Sequence, residues 1–220
     1  MEKFSQFEIL DISNRRYATK AFDADREVSE DDLRTILEVG RLSPSSFGYE
    51  PWKFLVIENE ELREEIYDIA PGARNAIHGD AKLIIILYRK DVNYKSEHVI
   101  HIVEDVLGLE YDPESPITQG FRGFQENLLE LKSEEDINNW SRRQTFIPLA
   151  NMMTAAASLD LDCVAIEGFI HSALTDLLRG KNIIDTDKYE PSVLMAVGYR
   201  NEEIKPKRRR QFEEVVEFII

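Results

Sequence analysis

LSPSSFGYEPWKFLVI, residues 42–57, joins the end of a helix to a strand through a short, stiff loop. Two prolines restrict the backbone of this loop, and a glycine allows a sharp turn within it. Its serine hydroxyls are able to hydrogen-bond to phosphate or ribose-like oxygens. The apolar run at residues 54–57 has the length and composition of a buried strand. The segment therefore predicts a helix–loop–strand unit whose loop contacts a ligand, with an ordinary helix-to-strand turn as the alternative.

Further helices and strands alternate on both sides of this unit. Ser29 begins a helix to about residue 42, because acidic residues follow it and apolar residues then recur at helical spacing. Other strands are expected at residues 83–87, 163–166 and 193–197, and other helices at 60–69, 96–107 and 146–159. Strands separated by helices predict a layered domain of helices and strands.

The composition limits the size, the location and the partners of the protein. The chain has 220 residues with 43% hydrophobic content and a net charge of -15, which predicts a single domain over residues 1–220. The N-terminal segment lacks a signal peptide, and no aliphatic run is long enough to cross a bilayer. We therefore expect a cytoplasmic protein. Its net charge repels nucleic acid and anionic lipid, so we expect it to bind neither.

Positive charge is concentrated near the two ends of the chain. Arg15, Arg16 and Lys20 lie near the start, and the run KPKRRR occupies residues 205–210. In so acidic a chain, two cationic segments that meet would form a site for a small anion rather than a groove for a polymer. The predicted ligand is a phosphorylated small molecule, and the alternative is that the terminal run is a solvated tail.

Residues 212–220, FEEVVEFII, are strand-like and apolar. A strand of this kind is expected to pair with the edge of a partner subunit's sheet, which would also cover its apolar side chains. The segment therefore predicts a homodimer.

Familiar catalytic motifs are absent from the sequence. There is no nucleophile elbow, phosphate loop, dinucleotide-binding turn or paired CxxC motif. His98, His101 and Glu104 share one face of a predicted helix, but a solvated face explains them better than a metal, and no metal site is expected. Cys163, the one cysteine, lies in an apolar run and is interpreted as a core residue.

Four segments together resemble the nitroreductase family of FMN-dependent NAD(P)H oxidoreductases. They are RRYATKAFD at 15–23, the segment at 42–57, CVAIEGF at 163–169 and PKRR at 206–209. The resemblance implies an α+β fold with three layers, α-β-α, around a mixed, mostly antiparallel sheet. It implies a homodimer with an FMN at each of two interface sites and a tail, about residues 205–220, exchanged between subunits. Residues 108–143 have no clear match and are expected to be an inserted helical or lid region.

The resemblance also implies roles for the basic residues. Arg16 matches the arginine that binds the FMN phosphate, and Lys20 matches the basic residue beside flavin N1 and O2, where a cation stabilises the reduced flavin. Lys207 and Arg209 match the terminal basic pair that closes on the phosphate.

Further flavin contacts follow from the matched segments. Pro44, Ser45 and Ser46 match a loop contributed by the neighbouring subunit. Glu167 and Gly168 match the segment whose backbone amide faces flavin N5. No catalytic side chain is expected, because the flavin carries the chemistry while Lys20 and the backbone of Glu167 tune it. Glu167 has an alternative role as the cap of a helix beginning near Ser172.

Other assignments depend on the alignment. Ala18 stands where a serine is common in the family, and Asn75 and His78 match flavin-facing positions only ambiguously. Arg208 and Arg210 are register alternatives for the terminal basic pair.

The implied activity is a two-electron, ping-pong transfer from NADH or NADPH to an electron-poor acceptor such as a nitroaromatic or a quinone. Phe121 and Phe124 are candidates for a lid over the acceptor, or for local packing. The alternatives are an FMN-binding or sensing module without turnover, a specialised dehalogenase, enone reductase or flavin-destroying enzyme, and an acidic scaffold dimer.

Overall fold

The computed structural model describes residues 4–220, so residues 1–3 of the predicted domain lie outside the described residues. The helices, in chain order, are α1 (Gln6–Arg15), α2 (Glu30–Arg41), α3 (Glu60–Ile69), α4 (Arg74–His78), α5 (Glu97–His101), α6 (Pro116–Gly123), α7 (Glu134–Gln144), α8 (Phe146–Ser158) and α9 (His171–Gly180). The strands are β1 (Trp52–Ile57), β2 (Lys82–Arg89), β3 (Asp162–Ile166) and β4 (Tyr189–Gly198). Every predicted strand is present, and each is extended by one to several residues.

The four strands form an antiparallel sheet in the order β1-β2-β4-β3. The expectation of a mixed sheet is therefore wrong for the strands of this chain. Parallel pairing is limited, within residues 4–220, to a bridge between Ala18 and Cys163 at the free edge of β3. Because this is a single bridge, most backbone groups on that edge of β3 have no strand partner among the described residues.

Helices cover both faces of the sheet. Because successive side chains of a strand point to opposite faces, Leu83 and Ile85 of β2 pack with α3, α4 and α9, whereas Ile84 and Ile86 pack with α2 and α8. These side chains are fully buried. The fold is thus α+β with three layers, as expected.

Capping residues fix the starts of several helices. The Ser29 hydroxyl accepts a hydrogen bond from the Asp32 amide, as expected for α2. Helix α1 was not predicted, although Ser5 and Glu8 form a reciprocal capping box at its start. No side chain of α1 is buried, so the helix has no apolar stripe facing the core.

Residues 108–143 are largely helical and pack with Tyr49, Val92 and α5 around a third hydrophobic cluster, separate from the two that line the sheet. Phe121 is fully buried beside Tyr49 and Trp140, with ring centroids 4.6 and 5.9 Å away. Both α5 and α6 continue as a single π turn, at Ile102–Val106 and Phe124–Leu128. Phe121 is therefore a core residue, which supports local packing over a lid for this residue.

The tail does not form the predicted strand. Phe212–Glu214 is a turn of 3₁₀ helix, and the residues after it have no regular structure and are exposed. A strand needs a neighbour to accept its backbone hydrogen bonds, and within residues 4–220 the tail is paired with neither edge strand of the sheet. None of the helices between residues 4 and 220 combines the length and the apolar character needed to cross a membrane.

Candidate functional site

The two cationic segments meet in a cleft of about 530 Å³. We call this the cationic cleft. It is lined by Arg16, Tyr17, Ala18, Lys205, Pro206, Lys207, Arg208 and Arg209. Both segments belong to the same chain, so the basic residues converge without a partner subunit. A cleft of this composition in a chain of net charge -15 selects small anions.

Lys207 connects the two segments that form the cationic cleft through hydrogen bonds. Its ammonium donates to the carbonyl oxygens of Ser13 and of Arg16, the latter at 2.8 Å, at the C-terminal end of α1. A cation is favourable at this end of a helix. Burial lowers the pKa of Lys207, and the nearby charges of Arg16 and Arg209 lower that pKa further. An anion bound between these groups would relieve their mutual repulsion.

The segment 16–20 runs from the end of α1 along the edge of β3. Thr19 donates its amide to the Cys163 carbonyl at 3.4 Å, next to the bridge made by Ala18. Arg16 is half-buried, while Ala18 and Lys20 are exposed. The expected extended backbone ends in a bend at Lys20, where the chain turns away from β3.

Gly168 contacts the 3₁₀ turn Pro71–Ala73 instead of the cationic cleft. The Gly72 amide donates to the Gly168 carbonyl at 2.8 Å, and both glycines are exposed. Glu167 is also exposed, and the amide of Phe169 donates to its carbonyl at 2.9 Å. Helix α9 begins at His171 without a side-chain cap, so the alternative that Glu167 caps it is wrong.

Asn75 and His78 lie on α4, which follows this turn. Both are exposed, and neither lines the cationic cleft. The His78 ring stacks on the Tyr67 ring with a centroid distance of 4.7 Å. The turn that contacts Gly168 leads directly into α4, which carries both residues.

The loop at residues 43–51 is held rigid by hydrogen bonds within one chain. The Ser45 hydroxyl accepts from the Glu50 amide at 2.9 Å, and the Ser46 amide donates to the Gln144 side chain at 3.0 Å. Phe47 has a φ of 59°, which is uncommon for a bulky residue. Pro44, Ser45 and Ser46 do not line the cationic cleft of their own chain.

The family of the chain follows from comparison with known proteins. The nitroreductase family profile matches residues 14–199. A Staphylococcus haemolyticus protein, provisionally named an NAD(P)H nitroreductase, is 44% identical over 211 residues, which cover 96% of this chain and 97% of that protein. This chain belongs to the nitroreductase family.

Solved structures of the nitroreductase family share the fold. A nitroreductase family protein of Streptococcus pneumoniae superposes with a TM-score of 0.74 at 25% identity, over 96% of this chain and 99% of that one. A provisionally named nitroreductase of Exiguobacterium sibiricum, determined in complex with FMN, gives a TM-score of 0.73 at 18% identity, over 100% and 99% of the two chains. At that identity the second likeness concerns the fold alone.

At Gly72 of this nitroreductase family member, any larger side chain would meet close neighbours. A Cβ atom there would lie 2.8 Å from a methyl carbon of Ile166 and 3.1 Å from the Gly168 carbonyl oxygen. We expect Gly72→Ala to lower the free energy of unfolding by about 1–3 kcal/mol through overpacking. Urea denaturation measures the change.

Gly120 on α6 is the matched control for that substitution. No atom lies within 4 Å of a Cβ built on it, so Gly120→Ala should be neutral or stabilise the helix by up to about 1 kcal/mol. Equal denaturation midpoints for the two variants would refute the close contact between residues 72 and 168.

The remaining candidates have structural explanations. The His98 ring nitrogen lies 2.6 Å from the Tyr49 carbonyl oxygen, while His101 pairs with Asp105. Within residues 4–220, no three metal-ligating side chains are grouped so as to hold a metal ion. Cys163 is buried as expected, and its burial raises the pKa of the thiol to about 12.

One residue at the site was missed by the sequence analysis. Glu202 accepts hydrogen bonds from the amides of Lys20 and Ala21, which lie 182 and 181 residues earlier. No local signal could have revealed it, because a single glutamate in an acidic chain has no pattern that points to so distant a partner.

Proposed function

We propose that this chain is an FMN-dependent oxidoreductase that uses NADH or NADPH to reduce nitroaromatics, quinones or similar electron-poor acceptors. The observation that carries this proposal is the cationic cleft, because it offers a phosphate site on a chain whose family includes an FMN-bound relative. The name of the Staphylococcus haemolyticus relative supports NAD(P)H as the reductant.

The residues of the cationic cleft fit the phosphate of FMN. Arginine and lysine form the strongest hydrogen bonds to phosphate oxygens, and Arg16, Lys207 and Arg209 all line the cleft. Two of the three Lys207 donors are used on backbone carbonyls, which leaves one for a ligand. Arg208 also lines the cleft, so it stays an alternative to Arg209, whereas Arg210 is not among the lining residues.

Other residues would hold the ring system of the cofactor. Lys20 supplies a cation on the segment that also carries Arg16, and Ala18 lies between them in the chain. The backbone at Glu167 and Gly168, together with Asn75 and His78, forms a second group of polar atoms next to the turn at 71–73. Lys20 would lie beside N1 and O2 of the flavin ring, and the backbone of Glu167 would face its N5.

When bound, FMN supplies the ability to take two electrons from one substrate and give them to another. The balanced reaction with a quinone is NAD(P)H plus a proton plus quinone giving NAD(P)⁺ plus hydroquinone. Reductant and acceptor use the same pocket in turn, which gives ping-pong kinetics. The role of the protein is to bind, orient and stabilise charge, and none of its side chains forms a covalent bond to the substrate.

We further propose that the functional unit is a homodimer. Large apolar side chains are exposed on α1, just before it and on the tail, which is unusual for a monomer. They include Phe4, Phe7, Leu10, Phe212, Val215 and Phe218. In the dimer, Pro44, Ser45 and Ser46 of one chain reach the flavin of the other, and the part of the tail beyond the cationic cleft, residues 211–220, crosses to the partner.

An anaerobic titration tests the proposed function. The purified protein, after incubation with FMN and removal of free cofactor, should show a flavin absorption band that bleaches when NADH or NADPH is added. A quinone or nitroaromatic should then restore the band. A protein that retains no flavin, or a flavin that neither nicotinamide bleaches, would contradict the proposal. Bleaching without recovery by any acceptor would instead favour a sensing module.

A further inference from the structure

Residues 199–210, which we call the C-terminal strap, lie across the segment that carries Lys20. The Asp23 amide donates to the Tyr199 carbonyl and the Asn201 amide donates to the Ala21 carbonyl, both at 2.8 Å. Phe22 and Arg200 form the antiparallel bridge between these bonds. The strap is therefore paired with residues 21–23 before it reaches the cationic cleft.

The start of the C-terminal strap is itself anchored to β3. The Arg200 guanidinium donates to an Asp162 carboxylate oxygen at 2.7 Å, and the Arg200 amide donates to the other at 3.1 Å. Asp162 is the first residue of β3 and is buried. A two-point contact of this kind gives the strap a fixed direction, so Glu202, two residues later, has a fixed position.

Glu202 holds the bend at Lys20. One of its carboxylate oxygens accepts from the Lys20 amide at 2.5 Å and from the Ala21 amide at 3.3 Å. Within residues 4–220, neither amide has another acceptor. Hydrogen bonds from amides to a charged carboxylate are stronger than those between neutral groups. The carboxylate thus fixes the backbone at the point where the extended segment turns.

We propose that Glu202 is the positioning residue that holds Lys20 beside the flavin. This inference rests on the proposed function of Lys20. A long lysine side chain can direct its ammonium only if its backbone is fixed, because the side chain itself is flexible. With the bend fixed, the ammonium stabilises the anionic reduced flavin and raises its reduction potential. Without Glu202, the lysine remains in the chain but is no longer held at that place.

Two substitutions separate positioning from charge. Glu202→Gln and Glu202→Ala both remove the negative charge, but only glutamine keeps an oxygen that accepts hydrogen bonds. The difference between the two variants therefore reports the positioning of Lys20 alone. We expect Glu202→Ala to prefer reduced over oxidised FMN about tenfold less than Glu202→Gln does. This lowers the reduction potential of the bound FMN by about 30 mV for a two-electron couple. Spectroelectrochemical titration of the FMN-loaded proteins measures this potential.

A second readout uses the protein without cofactor. In hydrogen exchange followed by NMR, the amides of Lys20 and Ala21 should exchange at least about tenfold faster in Glu202→Ala than in Glu202→Gln. The amides of Asp23 and Asn201, which bond to backbone carbonyls, should exchange at similar rates in both. Glu203→Ala is the matched control, since Glu203 is exposed and adjacent. It should leave both the potential and the exchange rates unchanged.

Each outcome decides the inference. Equal potentials in the alanine and glutamine variants would overturn the positioning of Lys20, and equal exchange rates would overturn the hold of Glu202 on the bend. A wild-type protein that binds no FMN would refute the proposed function and the flavin part of the inference. In that case the exchange rates alone would show whether Glu202 fixes the backbone of Lys20, so the two failures remain distinguishable.

Discussion

The Lys207→Ala, Arg209→Ala double variant is expected to lose FMN during gel filtration, whereas the wild-type protein retains it. Both side chains line the cationic cleft, and each charge-assisted hydrogen bond to a phosphate contributes about 1.5–3 kcal/mol. Removal of both should weaken FMN binding by roughly 10²–10⁴-fold. Fluorescence titration with FMN measures the dissociation constant.

A charge-matched control separates local contacts from net charge. Arg34→Ala combined with Lys132→Ala also removes two exposed cations, but neither residue lines the cationic cleft. This control should bind FMN within about threefold of wild type, because exposed charges are screened over about 10 Å. Unchanged FMN affinity in the Lys207 and Arg209 variant would show that the terminal basic residues do not form the phosphate site.

Phe121→Ala is expected to produce the largest loss of stability. The ring is fully buried among Phe47, Tyr49 and Trp140, and removal of a buried phenylalanine ring costs about 3–5 kcal/mol. In a domain of this size, the thermal midpoint should fall by roughly 6–20 °C. Differential scanning calorimetry measures the midpoint.

Phe124→Ala is the comparison that distinguishes packing from a lid. Phe124 is only partly buried at the edge of the same cluster, so its truncation should cost less than half as much as that of Phe121. A Phe121→Ala protein with unchanged stability and altered acceptor KM would support a lid instead. That result would also mean that residues 108–143 are not held by the aromatic core described above.

Local sequence signals accounted for most of the individual elements. Ser29 and the apolar spacing after it were sufficient to place α2, because capping and periodicity act within a few residues. The strands were recognisable from their apolar runs. Helix α1 was missed although the capping box of Ser5 and Glu8 is a local signal; its apolar residues, such as Phe7 and Leu10, are exposed in the structure.

Strand order and the tail depended on information outside any local pattern. Helices between strands usually indicate parallel pairing, yet β1 and β2 are antiparallel although α3 and α4 lie between them. The tail has the composition of a strand, but within residues 4–220 it pairs with no strand of its own chain. Both features are set by contacts that local propensity does not encode.

The candidate site was predictable only in part. The charge pattern and the family resemblance brought Arg16 and Lys207 together across 191 residues, and the structure places the Lys207 ammonium on the Arg16 carbonyl. The sequence did not indicate that Lys207 would bond to helix carbonyls, or that Glu202 would hold Lys20. Hydrogen bonds of side chains to distant backbone atoms leave no periodic trace in a sequence.

The most direct test compares the affinities of the wild-type protein for FMN and for riboflavin, which has the same ring system but no phosphate. If the cationic cleft holds the phosphate, FMN should bind at least about a hundredfold more tightly than riboflavin, and added inorganic phosphate should reduce that difference. Equal affinities for the two flavins would contradict the account.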